Sequence, residues 1–296
     1  MALAPAQFRL SPAARREVIN PKLGSAPRAL IVTVIGAGKI GEAVATSIAR
    51  SSKVSRVIMT KRDISTLARA RPGKVFVTSD NREAAKKADL ILVSVKAGDA
   101  KQVLNEISKF TVNKIVISLM AAITIERLER ALPHAKVVRS MPNIAAVIDE
   151  AMTAYSLGTR VTPADAAKVE FILGCFGDFV KVPESLLNPI TALSGSGPAY
   201  IAVVIEAMVS AGLKVGIPRD VSFKLVTKTL TGTANLLSEK KMHPAELRDT
   251  VTTPAGTTIA GIYELERGSL RTSIMNAVEA ATIAAEKVAK KFEGDG

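Results

Sequence analysis

The chain reads as an α/β protein, with a doubly wound parallel sheet in its first part and an all-helical region after it. Three observations predict this. Short apolar runs alternate with helix-period segments from Ala29 onward. The first of these runs ends in a glycine-rich turn that opens a helix. Past Pro183 the strand-like runs stop, and long Ala-rich helical segments take over. Strands that alternate with helices are joined by crossovers, which lay parallel strands side by side under two layers of helix.

Taken in order, ALIVTVIG is a continuous apolar run ended by Gly36, as expected for a strand buried on both faces. KIGEAVATSIAR has helical spacing through Ile40, Val44 and Ile48. RVIMT reads as a second strand, DISTLARA as a short helix and KVFVTS as a third strand. DNREAAKKA follows as a helix with Asp80 as its N-cap. DLILVSV and KIVISLM are further strands, separated by GDAKQVLNEISKF. KVVRSMPN, AMTAYSL and GDFVKV complete this domain, assigned to residues 29–183 after an extension at 1–28.

Residues 184–296 form the helical domain. SGSGPAYIAVVIEAMVSAG opens with a Gly-rich turn and continues as a helix apolar nearly all round, with Glu206 its only charge. Such a helix is expected to be buried. RDVSFKLVTKTLTGTANLLSEK and LRTSIMNAVEAATIAAEKVAKKF are two more helices.

Composition narrows the function. Of 296 residues 48% are hydrophobic, enough for real cores, but only 4% are aromatic and Trp is absent, so the cores are aliphatic. The lone Cys175 offers no disulfide or thiolate metal site, and His134 and His243 are too few for a histidine-based one, so no metal is expected. The net charge is +13, yet Lys and Arg are scattered without interleaved aromatics. That pattern suits small anionic ligands and argues against nucleic acid. Residues 1–28 lack an apolar core segment and read as a poorly ordered or docked extension. Charges interrupt every apolar run before membrane-spanning length, so no membrane partner and a cytoplasmic location are expected.

The first turn carries the clearest chemistry. Gly36, Gly38 and Gly41 form G-x-G-x-x-G directly between a strand and a helix, the context that a Rossmann-type dinucleotide site requires. Gly36 permits the turn, Gly38 admits a pyrophosphate, and Gly41 lets helix and strand pack closely. Ala37, Lys39 and Ile40 complete the loop, whose N–H groups face the phosphates. At the end of the second strand Thr60, Lys61 and Arg62 supply a hydroxyl and two cations. They suit a 2′-phosphate, so NADP(H) is preferred; NAD(H) is the alternative, with Asp63 on the ribose.

A second helix start lies in TTPAGTTIAGIYELE. Thr253 is a good N-cap and Pro254 suits the first helical position. The N–H groups from Ala255 to Thr258 would then lack intrahelical partners and could hold a carboxylate, or simply begin a well-capped helix.

The ordered motifs VIGAGKIGEAV, SVK at Ser94–Lys96, VVRSMPN, TALSGSGPAYIAVVIEAM and HPAELRDTVTTPAGTTIAGIYELERG together resemble the pyrroline-5-carboxylate reductases, from Val32 to about Val288. The resemblance implies an NAD(P)H-dependent enzyme that reduces the C=N bond of 1-pyrroline-5-carboxylate to L-proline. It implies a helical domain that interlocks with a second subunit, a homodimer as minimal unit and a larger homo-oligomer, with the active site between one cofactor domain and the helical dimer. By the same resemblance Thr253, Gly256, Thr257 and Thr258 bind substrate, and Thr258 is the catalytic residue, placing its hydroxyl on the ring nitrogen. Met141 and Asn143, with Pro142, lie by the nicotinamide, and Val95 and Lys96 border the cofactor.

Several positions depart from the family pattern. Ala97 stands for Pro, Ala122 for Gly, Ile144-Ala145 for Thr-Pro and Ala255 for Gly. Ala255 is expected to be tolerated as a second helical residue. Two rivals remain: a hydroxyacid dehydrogenase of the 6-phosphogluconate-like superfamily, and a non-enzymatic NADP-binding sensor. The dehydrogenases carry a catalytic Lys on the first long helix of the second domain, whereas Pro198–Ala211 contains none.

Overall fold

The computed structural model of the chain describes residues 29–63 and 73–293. The helix expected from DISTLARA lies outside the described residues except at its first residue, Asp63. The described chain divides into two compact units. One holds Gly197–Val278; the other holds the sheet up to Ser196 and takes the chain back from Glu279.

The sheet contains β1 (Leu30–Ile35), β2 (Val54–Thr60), β3 (Val75–Thr78), β4 (Leu90–Val93), β5 (Ile115–Ser118), β6 (Lys136–Met141), β7 (Ala151–Leu157) and β8 (Gly177–Lys181). Their spatial order is β3-β2-β1-β4-β5-β6-β7-β8. The first six strands are parallel, in the doubly wound order of dinucleotide-binding domains. Side chains alternate between two cores: Leu90, Leu92, Ile115 and Ile117 enter one, Ile91, Val93 and Val116 the other. Burial on both faces is why these strands read as unbroken apolar runs.

The expectation of a wholly parallel sheet needs one correction, because β7 runs antiparallel to β6. The intervening Pro142–Glu150 holds only a 3-10 turn at Ile144–Ile148. It is shorter than the dozen or more residues of a crossover, so the chain must return beside the strand it left. Asp149 ends this turn at φ +61° and binds Ser47 and Arg50.

Helices α1 (Lys39–Ala49), α2 (Asn81–Lys87), α3 (Ala100–Ile107), α4 (Ile125–Ala131) and α5 (Pro163–Leu173) belong to the sheet unit. Asp80 caps α2 as expected, its carboxylate accepting the Glu83 N–H at 3.0 Å. Thr162 and Asp165 form a reciprocal capping box at α5. The expected turn before the long apolar helix is itself helical: α6 (Leu187–Ile190) runs into a π-turn at Thr191–Gly195.

The helical region continues as α7 (Gly197–Lys214), α8 (Arg219–Lys240), α9 (Pro244–Thr250), α10 (Thr257–Arg267) and α11 (Leu270–Glu293). The expected burial of α7 is corrected: within one chain only Val209 is buried on it, while Ile201, Val203 and Met208 are exposed. The helical run Glu184–Lys214, with mean hydropathy 1.4 over its best window, is also long and apolar enough to cross a membrane. That corrects the expectation that no run reaches such length. An all-round apolar pattern therefore does not establish that a helix is buried within its own chain.

Candidate functional site

The chain leaves β1 at Gly36, whose φ of +92° lies where a Cβ is disfavoured. A Cβ there would also stand 2.7 Å from Val95 Cγ1. Gly38 is the N-cap of α1 and offers no side-chain cap. A Cβ on Gly38 would meet no protein atom within 4 Å, so glycine at that position keeps the outer approach to the backbone clear. The first helical bond runs from the Glu42 N–H to the Gly38 carbonyl at 2.9 Å. The N–H groups of Lys39, Ile40 and Gly41 therefore have no intrahelical acceptor. Three donors at a helix start beside unobstructed backbone fit the pyrophosphate of a dinucleotide.

The end of β2 is divided between support and contact. Thr60 is buried, and its carbonyl accepts the N–H groups of Gly36 at 3.2 Å and Ala37 at 2.8 Å. Its hydroxyl donates to Asn81 Oδ1 at 2.6 Å, and the Asn81 amide donates to Glu106 at 3.0 Å. Thr60 thus braces the loop from within. Arg62 is exposed and donates to Asp99 Oδ1 at 2.6 Å. The Lys61 N–H bonds the Thr78 carbonyl at 3.2 Å. Lys96 N-caps a 3-10 turn at Ala97–Asp99.

Beyond β6, Asn143 accepts the Ala145 N–H at 3.2 Å and its amide lies 3.5 Å from Ser194 Oγ. A Cβ on Gly195 would lie 3.0 Å from Met141 Cε, so the π-turn rests against the strand end. Arg139 ties the same regions together from below. Its buried guanidinium donates to Glu184 at 3.0 Å and to Asn188 at 2.6 Å. Glu184 also accepts the Ile125 N–H at 2.7 Å. The roles of Asn81, Asp99 and this arginine network have no signal in the sequence, since each partner lies far along the chain.

The second helix start differs from expectation. Helix α10 begins at Thr257 with Gly256 as N-cap, not at Thr253. Thr253–Gly256 is a tight turn closed by the Gly256 N–H on the Thr253 carbonyl at 3.1 Å. Ala255 sits in that turn at φ +57°, in the left-handed region and not in the helical one expected. A Cβ on Gly256 would meet Thr253 Oγ1 at 2.3 Å, so this hydroxyl packs against the bare N-cap. The first helical bond, from the Ala260 N–H to the Gly256 carbonyl, is 3.4 Å long. The unpaired N–H groups at the helix start are thus those of Thr257, Thr258 and Ile259, where Ala255 to Thr258 were expected.

Other candidates have structural settings. Cys175 Sγ lies 3.4 Å from the Phe171 carbonyl, and burial pushes its pKa up to about 12, with Asp149 adding to the shift. His134 is exposed, and His243 N-caps α9 through Nδ1, which accepts the Ala245 N–H at 3.2 Å. Among the described residues no three His, Cys, Asp or Glu side chains group as metal ligands. A cavity of about 620 Å³ bounded by Ile125, Gly158, Lys181 and Glu184 includes none of the expected site residues.

Comparison with known proteins agrees with both halves of the chain. Residues 184–288 match the family model for pyrroline-5-carboxylate reductase dimerisation, so the exposed apolar helices belong to a dimerisation domain. Residues 31–122 match the model of coenzyme F420-dependent NADP oxidoreductases. A pyrroline-5-carboxylate reductase of Arabidopsis thaliana is 38% identical, over 84% of this chain and 92% of its own. One from Synechocystis is 38% identical, over 74% of this chain and 82% of its own. The NADP-bound crystal structure of Plasmodium falciparum pyrroline carboxylate reductase superposes with TM-score 0.81 at 29% identity, covering 88% of this chain and 99% of that one. The glycine-led cofactor loop, the dimerisation helices and this likeness along nearly the whole described chain have one reading: the chain belongs to the pyrroline-5-carboxylate reductase family.

Proposed function

We propose that the chain reduces 1-pyrroline-5-carboxylate to L-proline, the last step of proline biosynthesis, with NADPH as preferred donor and NADH as the alternative. One observation carries the reading: two helices each begin at a glycine N-cap with no side-chain cap, Gly38 before Lys39 and Gly256 before Thr257. Both leave N–H groups for an anion. The first suits a pyrophosphate and the second a carboxylate.

Bound reduced nicotinamide supplies the hydride that adds to the imine carbon. The amides of Thr257 and Thr258, with the Thr253 hydroxyl and the bare Gly256 backbone, hold the substrate carboxylate. The Thr258 hydroxyl bonds the ring nitrogen, and Met141 and Asn143 border the nicotinamide. The nitrogen of the imine carries its own proton, so the reaction needs positioning more than a general acid. That demand agrees with a site whose named residues include no His, Cys or paired carboxylates. The apolar surface of α7 is read as a subunit contact, in a homodimer that builds a larger homo-oligomer, and not as a membrane or nucleic-acid surface. We assign the enzyme to the cytoplasm.

The test is spectrophotometric. NADPH consumption with pyrroline-5-carboxylate is expected, and none is expected of NAD with 3-hydroxyisobutyrate. Turnover of the second pair alone, or of neither, overturns the proposal.

A further inference from the structure

The strand order sets β1 between β2 and β4, so the turns after β2 and β4 flank the phosphate loop on its two sides. Arg62 leaves the end of β2, and its Nη2 donates to Asp99 Oδ1 at 2.6 Å. Asp99 ends the 3-10 turn Ala97–Asp99 after β4, which runs directly into α3, and its own backbone is helical at φ −89° and ψ −7°, so its carboxylate is not placed to cap that helix. Here the carboxylate bonds instead to a residue 37 positions earlier, across the loop that leads out of β1. The Arg62 side chain is 79% exposed and that of Asp99 35%, so the pair is open to an incoming ligand.

We infer that Asp99 tempers the preference for NADP, by competing with a 2′-phosphate for the Arg62 guanidinium. This rests on the proposed reading of Arg62 as a 2′-phosphate ligand. A guanidinium has five N–H donors and can engage two acceptors. The Asp99 charge nonetheless stays within a few ångströms of whatever else Arg62 holds. It repels a phosphate and leaves a neutral ribose hydroxyl nearly unaffected. Because the pair is exposed and screened, the result is a graded bias against NADP and not a block.

Calorimetric titration of NADP+ and of NAD+ into wild type, Asp99→Asn, Asp99→Glu, Arg62→Ala and the Arg62→Ala/Asp99→Asn double variant tests this. Asp99 makes no capping bond, so the substitution by asparagine leaves the start of α3 as it is. Asp99→Asn is expected to tighten NADP+ about three- to five-fold, the size that an exposed ion pair supports, with NAD+ changed less than about two-fold. Asp99→Glu stays near wild type, and the part of the gain that comes from releasing Arg62 is lost when Arg62 is already Ala, so the double variant shows a smaller gain than Asp99→Asn alone. If Arg62→Ala weakens NADP+ while Asp99→Asn leaves or loosens it, the inference falls and the reading of Arg62 survives. If Arg62→Ala leaves NADP+ unchanged, both fall.

Discussion

Gly41 and Gly36 touch backbone to backbone: a Cβ on Gly41 would stand 2.2 Å from the Gly36 carbonyl oxygen. The glycines of this loop therefore serve separate ends. Gly41→Ala is expected to cost about 1–3 kcal/mol of stability, because neither backbone can yield cheaply. Gly38→Ala meets nothing within 4 Å, so its stability cost is only that of a poorer N-cap, below about 1 kcal/mol. It should weaken NADP+ about ten-fold or more, by obstructing the approach to the helix start. Denaturant melts and calorimetric titration separate the two; equal loss of stability would show the distinction to be wrong.

Ala122 and Ala255 both stand where the family pattern has glycine, and both have left-handed backbones, at φ +66° and +57°. Such a conformation costs an alanine about 1–2 kcal/mol. Ala255 is exposed, so Ala255→Gly should raise stability by about 1 kcal/mol after the extra chain entropy of glycine is subtracted. Ala122 is buried, and losing its methyl forfeits about 0.8 kcal/mol, so Ala122→Gly should be nearly neutral. Urea midpoints check the pair, and a destabilised Ala255→Gly protein would contradict the account.

Thr258 is the second residue of α10 and is half-buried. We predict that Thr258→Ala lowers kcat roughly ten- to hundred-fold with an unchanged melting curve, and that Thr258→Ser recovers most of the rate. Steady-state kinetics identical to wild type would remove the proposed role.

Arg139 is almost wholly buried, whereas Glu184 is a third exposed and has the Ile125 N–H as a second partner. Removing the arginine thus leaves no fully orphaned carboxylate. Arg139→Leu should cost about 2–3 kcal/mol, below the 3–5 kcal/mol typical of a sealed pair. Glu184→Gln keeps an acceptor for both donors but leaves the buried guanidinium without a counter-charge, so it should cost more, about 3–5 kcal/mol. The prediction fails if the two variants melt alike.

Burial by itself would raise the Asp165 pKa, but hydrogen bonds from Lys136 and Thr162 outweigh it and hold the carboxyl below its usual 3.8. A carboxyl with a depressed folded pKa adds stability above its unfolded value and loses it as pH falls through the folded one. Asp165→Asn should therefore destabilise the protein at pH 7, and the difference from wild type should shrink steadily below about pH 4. A constant difference from pH 7 to pH 2 would show that the carboxyl is not linked to folding.

Much of the sheet was legible because its signals are local. The paired runs at Leu90–Val93 and Ile115–Ser118, the capping Asp80 and the G-x-G-x-x-G turn each declare themselves within a few residues. The antiparallel β7 was also latent in the sequence, since Pro142–Glu150 is too short for a crossover, but apolar runs carry no direction. The second helix start was misread by three residues because Thr-Pro is itself a good opening. The decisive feature, the left-handed Ala255, has no sequence signal of its own.

Periodicity, caps and glycine spacing therefore determined which segments are strands and helices and that a dinucleotide loop leads the chain. These are properties of neighbours along the backbone. Tertiary structure alone decided that Arg62 meets Asp99, that Arg139 holds Glu184 and Asn188, and that the Thr60 hydroxyl, expected to serve a 2′-phosphate, faces inward to Asn81. Those contacts join residues tens of positions apart, and only the register of the sheet brings them within hydrogen-bonding distance.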